Sequence, residues 1–470
     1  MARSRFRYRP LAAVLSVGAG LTSAAACGNG TQSSGAGGSG GLPTGTAGSP
    51  ITSAGAGAGT SAAGSSAEAG RGGAAAVAGG GSNLAGSGNV AGSSAGGNNP
   101  PGAAGSSGAG SGNAGSSGKA GGSGSAGGPA ESGAPPSCAT SGPGRTNCGA
   151  SGNESCCTSL PVSGGTYSRT YTNMGSGATG KADPATLSSF RLDKYETTVA
   201  RFREYVKYLE NGGSAPAAAS GKHTHLNGGM GLADSGKPGS FEPGWDAAWN
   251  SRIPSGAGAT AKWKTALTSS SGSGGCKIYG SWTDQPGNND LLPITCTSWY
   301  ESYAFCIWDG GFLPSEAEWK YAAAGGDEQR QYPWGSTAPG SNNEYAIYDC
   351  CYPSGKCSAT SGGDTCTGLV NVAPVAFASK GFGRYGQFDL IGSVWEWNLD
   401  RFQTNYTNPC TDCAYLTGST TNRVLPGAGF HSGTSLGSSI MYSYNRTSIS
   451  YNADTYRGDY AVGLRCARSP

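Results

Sequence analysis

Charge is scarce in this chain. Only 13% of its 470 residues are charged, with 31 Lys and Arg against 28 Asp and Glu. Four of the positive charges are Arg3, Arg5, Arg7 and Arg9, so the formal +3 becomes −1 from Cys27 onward. A nearly neutral protein offers no electrostatic case for nucleic acid or for an anionic membrane surface. Histidine is scarcer still, at three residues. His223 and His225 share a polar, Gly-rich stretch and lack a third ligand, so an exposed loop is the expectation there. His431 stands alone and reads as structural. Beyond the N-terminal stretch Leu11–Ala26, no apolar run approaches membrane-spanning length. Phosphate loops, paired catalytic carboxylates and nucleophile–base pairs are absent as motifs. Gly92-Ser93-Ser94-Ala95-Gly96 matches a nucleophile elbow in form only, because no strand precedes it and no helix follows.

Glycine, by contrast, is abundant at 85 residues, concentrated before Ser137. Four successive zones follow from this. Residues 1–27 read as a lipoprotein-type signal. A basic start and an apolar stretch lead to Ala24-Ala25-Ala26-Cys27, with Cys27 as the acylated residue. Residues 28–136 are Gly, Ser, Ala, Asn and Thr without apolar period, too poor in hydrophobic mass to offset ordering entropy. Such a tether of about 110 residues reaches roughly 60 Å. Residues 137–160 form a Cys-rich collar, and 161–470 the folded domain. The chain is therefore expected to be exported and anchored at a bacterial envelope, meeting membrane only through its lipid.

Fifteen cysteines support that destination. With Cys27 set aside, 14 remain, an even number, as a disulfide framework in an oxidising compartment requires. Cys156 and Cys157 are adjacent and should pair elsewhere. Cys410-Thr411-Asp412-Cys413 reads as a structural disulfide rather than a redox motif.

Within the domain, Leu291–Gly335 is the densest stretch. Ser298 and Glu301, then Ser315 and Glu318, have capping-box spacing and open two helices. Gly310-Gly311 ends the first. Glu318 is explained by capping and Glu316 by an exposed face. Val199, Phe202, Val206 and Leu209 lie on one face of an earlier helix, after a strand at Phe190–Tyr195. Thr166–Thr172 alternates like an edge strand. Ser214–Gly275 reads as irregular, anchored by Trp245, Trp249 and Trp263. Phe388–Ile391 and Val394–Trp397 read as two buried strands about Gly392, and Arg423–Leu425 and Gly463–Cys466 as the last strands. The pattern is α+β, with few helices, many short strands and long stapled loops.

Four ordered blocks carry a resemblance: Phe190–Val206, Leu292–Gly335, Ala373–Trp397 and Arg423–Arg468. Together they resemble the formylglycine-generating enzyme family, also called the sulfatase-modifying factor domain, over about residues 160–470. The resemblance implies a loop-rich variant of the C-type-lectin-like fold. It also implies where a copper-binding cysteine pair would stand, just after the strand at Arg423. Those positions hold Ser432 and Gly437, and no cysteine occurs between Cys413 and Cys466. A hydroxyl and a hydrogen cannot replace two thiolates around Cu(I). Copper is therefore not expected, nor any catalytic residue of that kind.

The family's calcium sites imply two cation candidates here: Asn343 with Asp364, and the Gly392, Ser393, Val394 and Glu396 loop. In the second, Ser393 replaces the family's Asn, and Glu396 otherwise reads as an internal hydrogen-bonded carboxylate. What remains is a binding or structural module. His431, Tyr442, Tyr444, Asn445 and Tyr451 crowd the face where the enzyme's active site would lie. Tyr with Ser and Asn is recognition chemistry suited to a protein or glycan. The alternative is an enzyme using a diverged constellation.

Overall fold

The computed structural model describes residues 133–269, 275–355, 366–418, 420–432, 438–446, 454–457 and 462–470. The first strand, β1 (Ser159–Val162), and the last, β10 (Ala467–Arg468), flank β4 (Phe190–Asp193) in one antiparallel sheet. The two ends of the domain thus meet on one strand. β2 (Gly165–Asn173) and β3 (Ala178–Leu187) form a long hairpin, and β3 continues in parallel to β7 (Cys410–Thr411). β2 is left as an edge strand, as its alternation predicts, with Tyr167, Arg169, Tyr171 and Asn173 turned inward. β5 (Ala233–Asp234) pairs with β8 (Cys413–Ala414), and β6 (Trp395–Glu396) with β9 (Val462–Gly463).

The α-helices are α1 (Val199–Glu210), α2 (Ala259–Thr268), α3 (Gly275–Tyr279), α4 (Trp299–Trp308) and α5 (Glu316–Ala323). Both predicted capping boxes are formed, at Ser298/Glu301 and Ser315/Glu318. Thr198 caps α1 by accepting the Arg201 amide, and Val199, Phe202, Val206 and Leu209 are all buried. Gly310 takes φ 79° where α4 ends, a conformation that costs glycine little. At Gly311 a Cβ would lie 2.5 Å from the Ala467 carbonyl, so glycine lets α4 and β10 touch. Phe202 stacks on Phe305 at 5.4 Å and meets Trp263 edge-on at the same distance, joining α1, α2 and α4.

Several expectations need correction. The stretch read as irregular contains α2, which buries Trp263 and Leu267. Its start at Gly258 carries no side-chain cap, so the usual N-terminal signal is missing. Conversely, Phe388–Ile391 is not a strand. Asp389, Gly392 and Ser393 take φ of 58°, 89° and 63°, which interrupts any extended run, and only Trp395–Glu396 pairs.

The collar is a disulfide knot. Cys138 bonds Cys157, and Cys148 bonds Cys156, so the adjacent cysteines do part company. Arg201 docks the knot: its Nε donates to Ser137 Oγ, its Nη1 to the Cys156 carbonyl, and its Nη2 to Asp193 and Asp309. Cys306–Cys466 ties α4 to the chain's end across 160 residues. A loop of that order constrains the unfolded chain by on the order of 4–5 kcal/mol. Cys276–Cys296 and Cys350–Cys366 staple loops, and Cys410–Cys413 closes on itself as a structural bridge.

The histidine loop is exposed at Thr224 and over 227–230, but His225 is half-buried and His223 is not exposed at all. His223 is fully buried against Phe312, with ring centroids 3.7 Å apart. Its Nδ1 lies 2.9 Å from Glu242 Oε2 and its Nε2 3.0 Å from Glu318 Oε2. Glu318 therefore caps α5 and also locks the 223 loop to it. Glu316 is buried too, not on an exposed face, and is paired with Arg446. Charge compensation makes both burials tolerable.

Burial alone would drive His223 neutral, but Glu318 and Glu242 outweigh it and hold its pKa up to about 10. A raised folded-state pKa gives stability that is complete below the unfolded value of about 6.5. That stability is lost as pH rises through about 10. Unfolding free energy, followed by urea titration, should fall between pH 7 and 10, and His223→Gln should flatten that fall while lowering stability at pH 7.

Candidate functional site

The segment after Arg423 builds the corner where the resemblance would place chemistry. Arg423 is buried, its guanidinium 3.5 Å from the Trp299 ring centroid, with Nε donating to Asp454 and Nη1 to the Leu399 carbonyl. The chain then runs beside the Trp395 block. The Glu396 amide donates to the Pro426 carbonyl, the Phe430 amide to that of Ser393 and the Cys350 amide to that of Phe430. At the turn, Ser432 is buried and its hydroxyl accepts the Gly429 amide at 3.0 Å. Its own amide returns to the Gly429 carbonyl. Ser432 thus closes a turn, and Gly437 lies outside the described residues. Every described cysteine is disulfide-bonded, so none of them offers a thiolate. These donors do not fit a cuprous ion.

His431 lies beside this turn, half-buried, with its pKa pushed down to about 4 by loss of water. Its ring fills the space next to Gly429. A Cβ there would stand 2.7 Å from His431 Cε1 and 2.9 Å from Trp395 Cδ1.

The calcium candidates are placed as follows. Gly392 must be glycine, since a Cβ would meet the Ile347 carbonyl at 2.7 Å. Ser393 Oγ donates to Glu196 Oε2 and the Val394 amide to Glu196 Oε1. Glu396 takes Arg465 through both oxygens and the Trp319 indole N–H at 2.8 Å. A carboxylate already clamped by a guanidinium is a poor cation ligand, so this loop does not fit calcium. Asn343 is buried at φ 60°, and its Nδ2 donates to the Cys351 carbonyl. Asp364 lies outside the described residues.

The tyrosine face is more orderly than its sequence implies. Tyr171, Tyr444, Tyr442, Tyr332, Trp334 and Tyr345 form one ladder with centroid steps of 5.1, 5.0, 5.4, 5.1 and 5.6 Å. Tyr442 is buried within it rather than displayed, because Tyr332 and Tyr444 cover its two sides. Tyr444 and Asn445 are half-buried, and Tyr451 lies outside the described residues. Tyr444 borders a groove of about 440 Å³ shared with Arg169, Tyr171, Asp183, Tyr406 and Arg446. Below it, Tyr406 donates to Glu316 Oε1, and Lys320 Nζ donates to Tyr406 Oη at 3.2 Å. Burial pushes the Lys320 ammonium down to about 8, with Glu316 opposing. Burial, then the Glu316 charge, raises Asp400 to about 7. The sequence reading missed Arg169, Asp183, Tyr406 and Arg446. The alternation of β2 was the available signal, since it puts Arg169 on the same side as Tyr167 and Tyr171.

The corner makes a testable demand. Gly429→Ser, which puts a Cβ against His431 and Trp395, should destabilise the domain by about 1–3 kcal/mol through overpacking. Adding His431→Ala should recover part of that loss in a double-mutant cycle read by denaturant unfolding.

A family model described as a sulfatase-modifying factor enzyme 1-like domain matches residues 146–470. The formylglycine-generating enzyme of Thermomonospora curvata is 31% identical over 226 residues, covering 47% of this chain and 62% of that protein. The inactive Cα-formylglycine-generating enzyme 2 of Bos taurus is 35% identical over 113 residues, 24% of this chain and 34% of that protein. The chain thus spans less than two thirds of the length of these relatives. A solved structure, PvdO from Pseudomonas aeruginosa, covers 70% of this chain and all of its own at 17% identity, with a TM-score of 0.37. The four ordered blocks, the paired capping boxes and the match across 146–470 lead to one assignment: the chain belongs to the sulfatase-modifying factor family and has that family's α+β fold.

Proposed function

We propose that this domain is a binding module of its family that does not carry out copper-dependent oxidation. The observation that carries the reading is at position 432. The residue there is a serine, and its hydroxyl is spent on the Gly429 amide inside the turn. Position 437 is glycine, and the chain from 414 to 465 contains no cysteine. Two thiolates are what a soft cuprous ion needs from a protein. The precedent of a relative named as inactive is compatible with such a loss. The aromatic ladder that includes the half-buried Tyr444 supplies the recognition chemistry in its place.

The reading includes placement. Cys27 carries a lipid, and residues 28–136 hold the domain away from the membrane. Six disulfides among the described residues support an oxidising compartment.

One preparation tests the chemistry. The full chain, purified with copper and given a cysteine-containing sulfatase-type peptide under oxygen, should hold no stoichiometric copper and form no aldehyde. Copper-dependent turnover would overturn the proposal. For placement, the wild type should partition with membranes and incorporate fatty acid, and Cys27→Ser should do neither. Equal partitioning of the two would exclude the anchor.

A further inference from the structure

The buried arginines of this protein follow a pattern with one exception. Arg201 faces Asp193 and Asp309, Arg203 faces Asp290, Arg423 faces Asp454 and Arg465 faces Glu396, each as an ion pair. Arg169 is buried to the same degree, 5% exposed, yet forms no ion pair among the described residues. Its Nε donates to the Asp183 carbonyl, and its Nη2 to the Thr407 carbonyl and Asn408 Oδ1. All three acceptors are neutral. The Asp183 carboxylate itself is turned to Thr170 Oγ1 and Asn408 Nδ2. The Nη1 of Arg169 donates to no described residue. A guanidinium that lines a groove with only neutral hydrogen-bond acceptors, and the Asp183 carboxylate near it but not in direct contact, still has a planar donor edge to offer an anion.

That guanidinium lines the 440 Å³ groove, which is within the size of small-ligand sites. Its plane lies over Tyr406, 4.4 Å from the ring centroid, and Arg446 covers the same ring at 4.3 Å. Arg446 is already committed to Glu316, so it fixes Tyr406 and leaves Arg169 as the groove's cation with no direct ion pair among the described residues. The half-buried Tyr444 supplies aromatic surface, backed edge to face by the buried Tyr171 at 5.1 Å. The exposed Asn405 and the half-buried Asp183 supply hydrogen-bonding groups.

We propose that this groove binds an acidic saccharide, with the carboxylate of a uronic acid unit on Arg169 and its ring against Tyr444. A planar carboxylate matches the guanidinium fork. Asp183 and Asn405 offer hydrogen bonds to sugar hydroxyls, which an acidic peptide does not bring, and this favours a sugar. The inference rests on the reading of the domain as a binding module and names its ligand class.

The test titrates oligogalacturonate into the full chain, followed by calorimetry. A neutral galactose oligomer of equal length and a peptide with the same number of carboxylates serve as comparisons. The uronate should bind at least tenfold more tightly than either. Arg169→Gln should weaken it at least tenfold. Asn405→Trp, at an exposed position on the groove, should do the same without disturbing the core, and decides the matter if the first variant fails to fold. Equal binding of the neutral oligomer, equal or tighter binding of the peptide, no uronate binding, or indifference to Asn405→Trp would each overturn the inference. Failure here leaves the non-oxidising reading standing, since that reading falls only on copper-dependent turnover.

Discussion

Arg465 joins three separate stretches of this protein. It is fully buried, and its guanidinium holds both oxygens of Glu396 while donating to the carbonyls of Asp193, Lys194 and Phe388. The Trp319 indole reaches the same carboxylate from α5. One ion pair therefore gathers the first sheet, the turn before β6, the tryptophan block and the second capped helix. Removing either partner would strand a charge in a dry core, where loss of one partner typically costs 3–5 kcal/mol. A loop-rich domain with short strands has few continuous ladders to rely on. Buried arginines with named carboxylates take over part of that role, at Arg201, Arg203 and Arg423 as well.

What the sequence made readable was local. The capping boxes at Ser298 and Ser315, the face of α1 and the alternation of β2 are all set within a few residues. Each formed where expected. What it hid was decided by distant partners. Glu316 and Glu318 lie two residues apart in one helical turn. Which of them meets Arg446 and which meets His223 depends on chain 130 residues later and 95 residues earlier. The helix at Ala259 begins without a capping side chain, and the 388–393 turns depend on left-handed residues whose types do not announce them.

The candidate site divides in the same way. That position 432 holds serine and not cysteine was plain in the sequence. The use made of the substituted serine, inside a turn, was not. Nor was the groove, since Arg169, Asp183, Tyr406 and Tyr444 come from four separate segments. Only the fold brings them to one place. The tyrosines of the last loop were expected as a display. Their rings instead run inward as a ladder, so that Tyr444 is presented on a stiff column.

The collar has a mechanical consequence. Chain arriving from upstream reaches the domain at Cys138, which is bonded to Cys157 just ahead of β1. Any tension applied from that side passes through sulfur and bypasses the 18 residues between the two cysteines. It then enters β1, whose neighbour β4 also holds the chain's last strand. Drag on this protein would be carried by covalent bonds and a three-stranded sheet, leaving the tyrosine column and its groove unloaded.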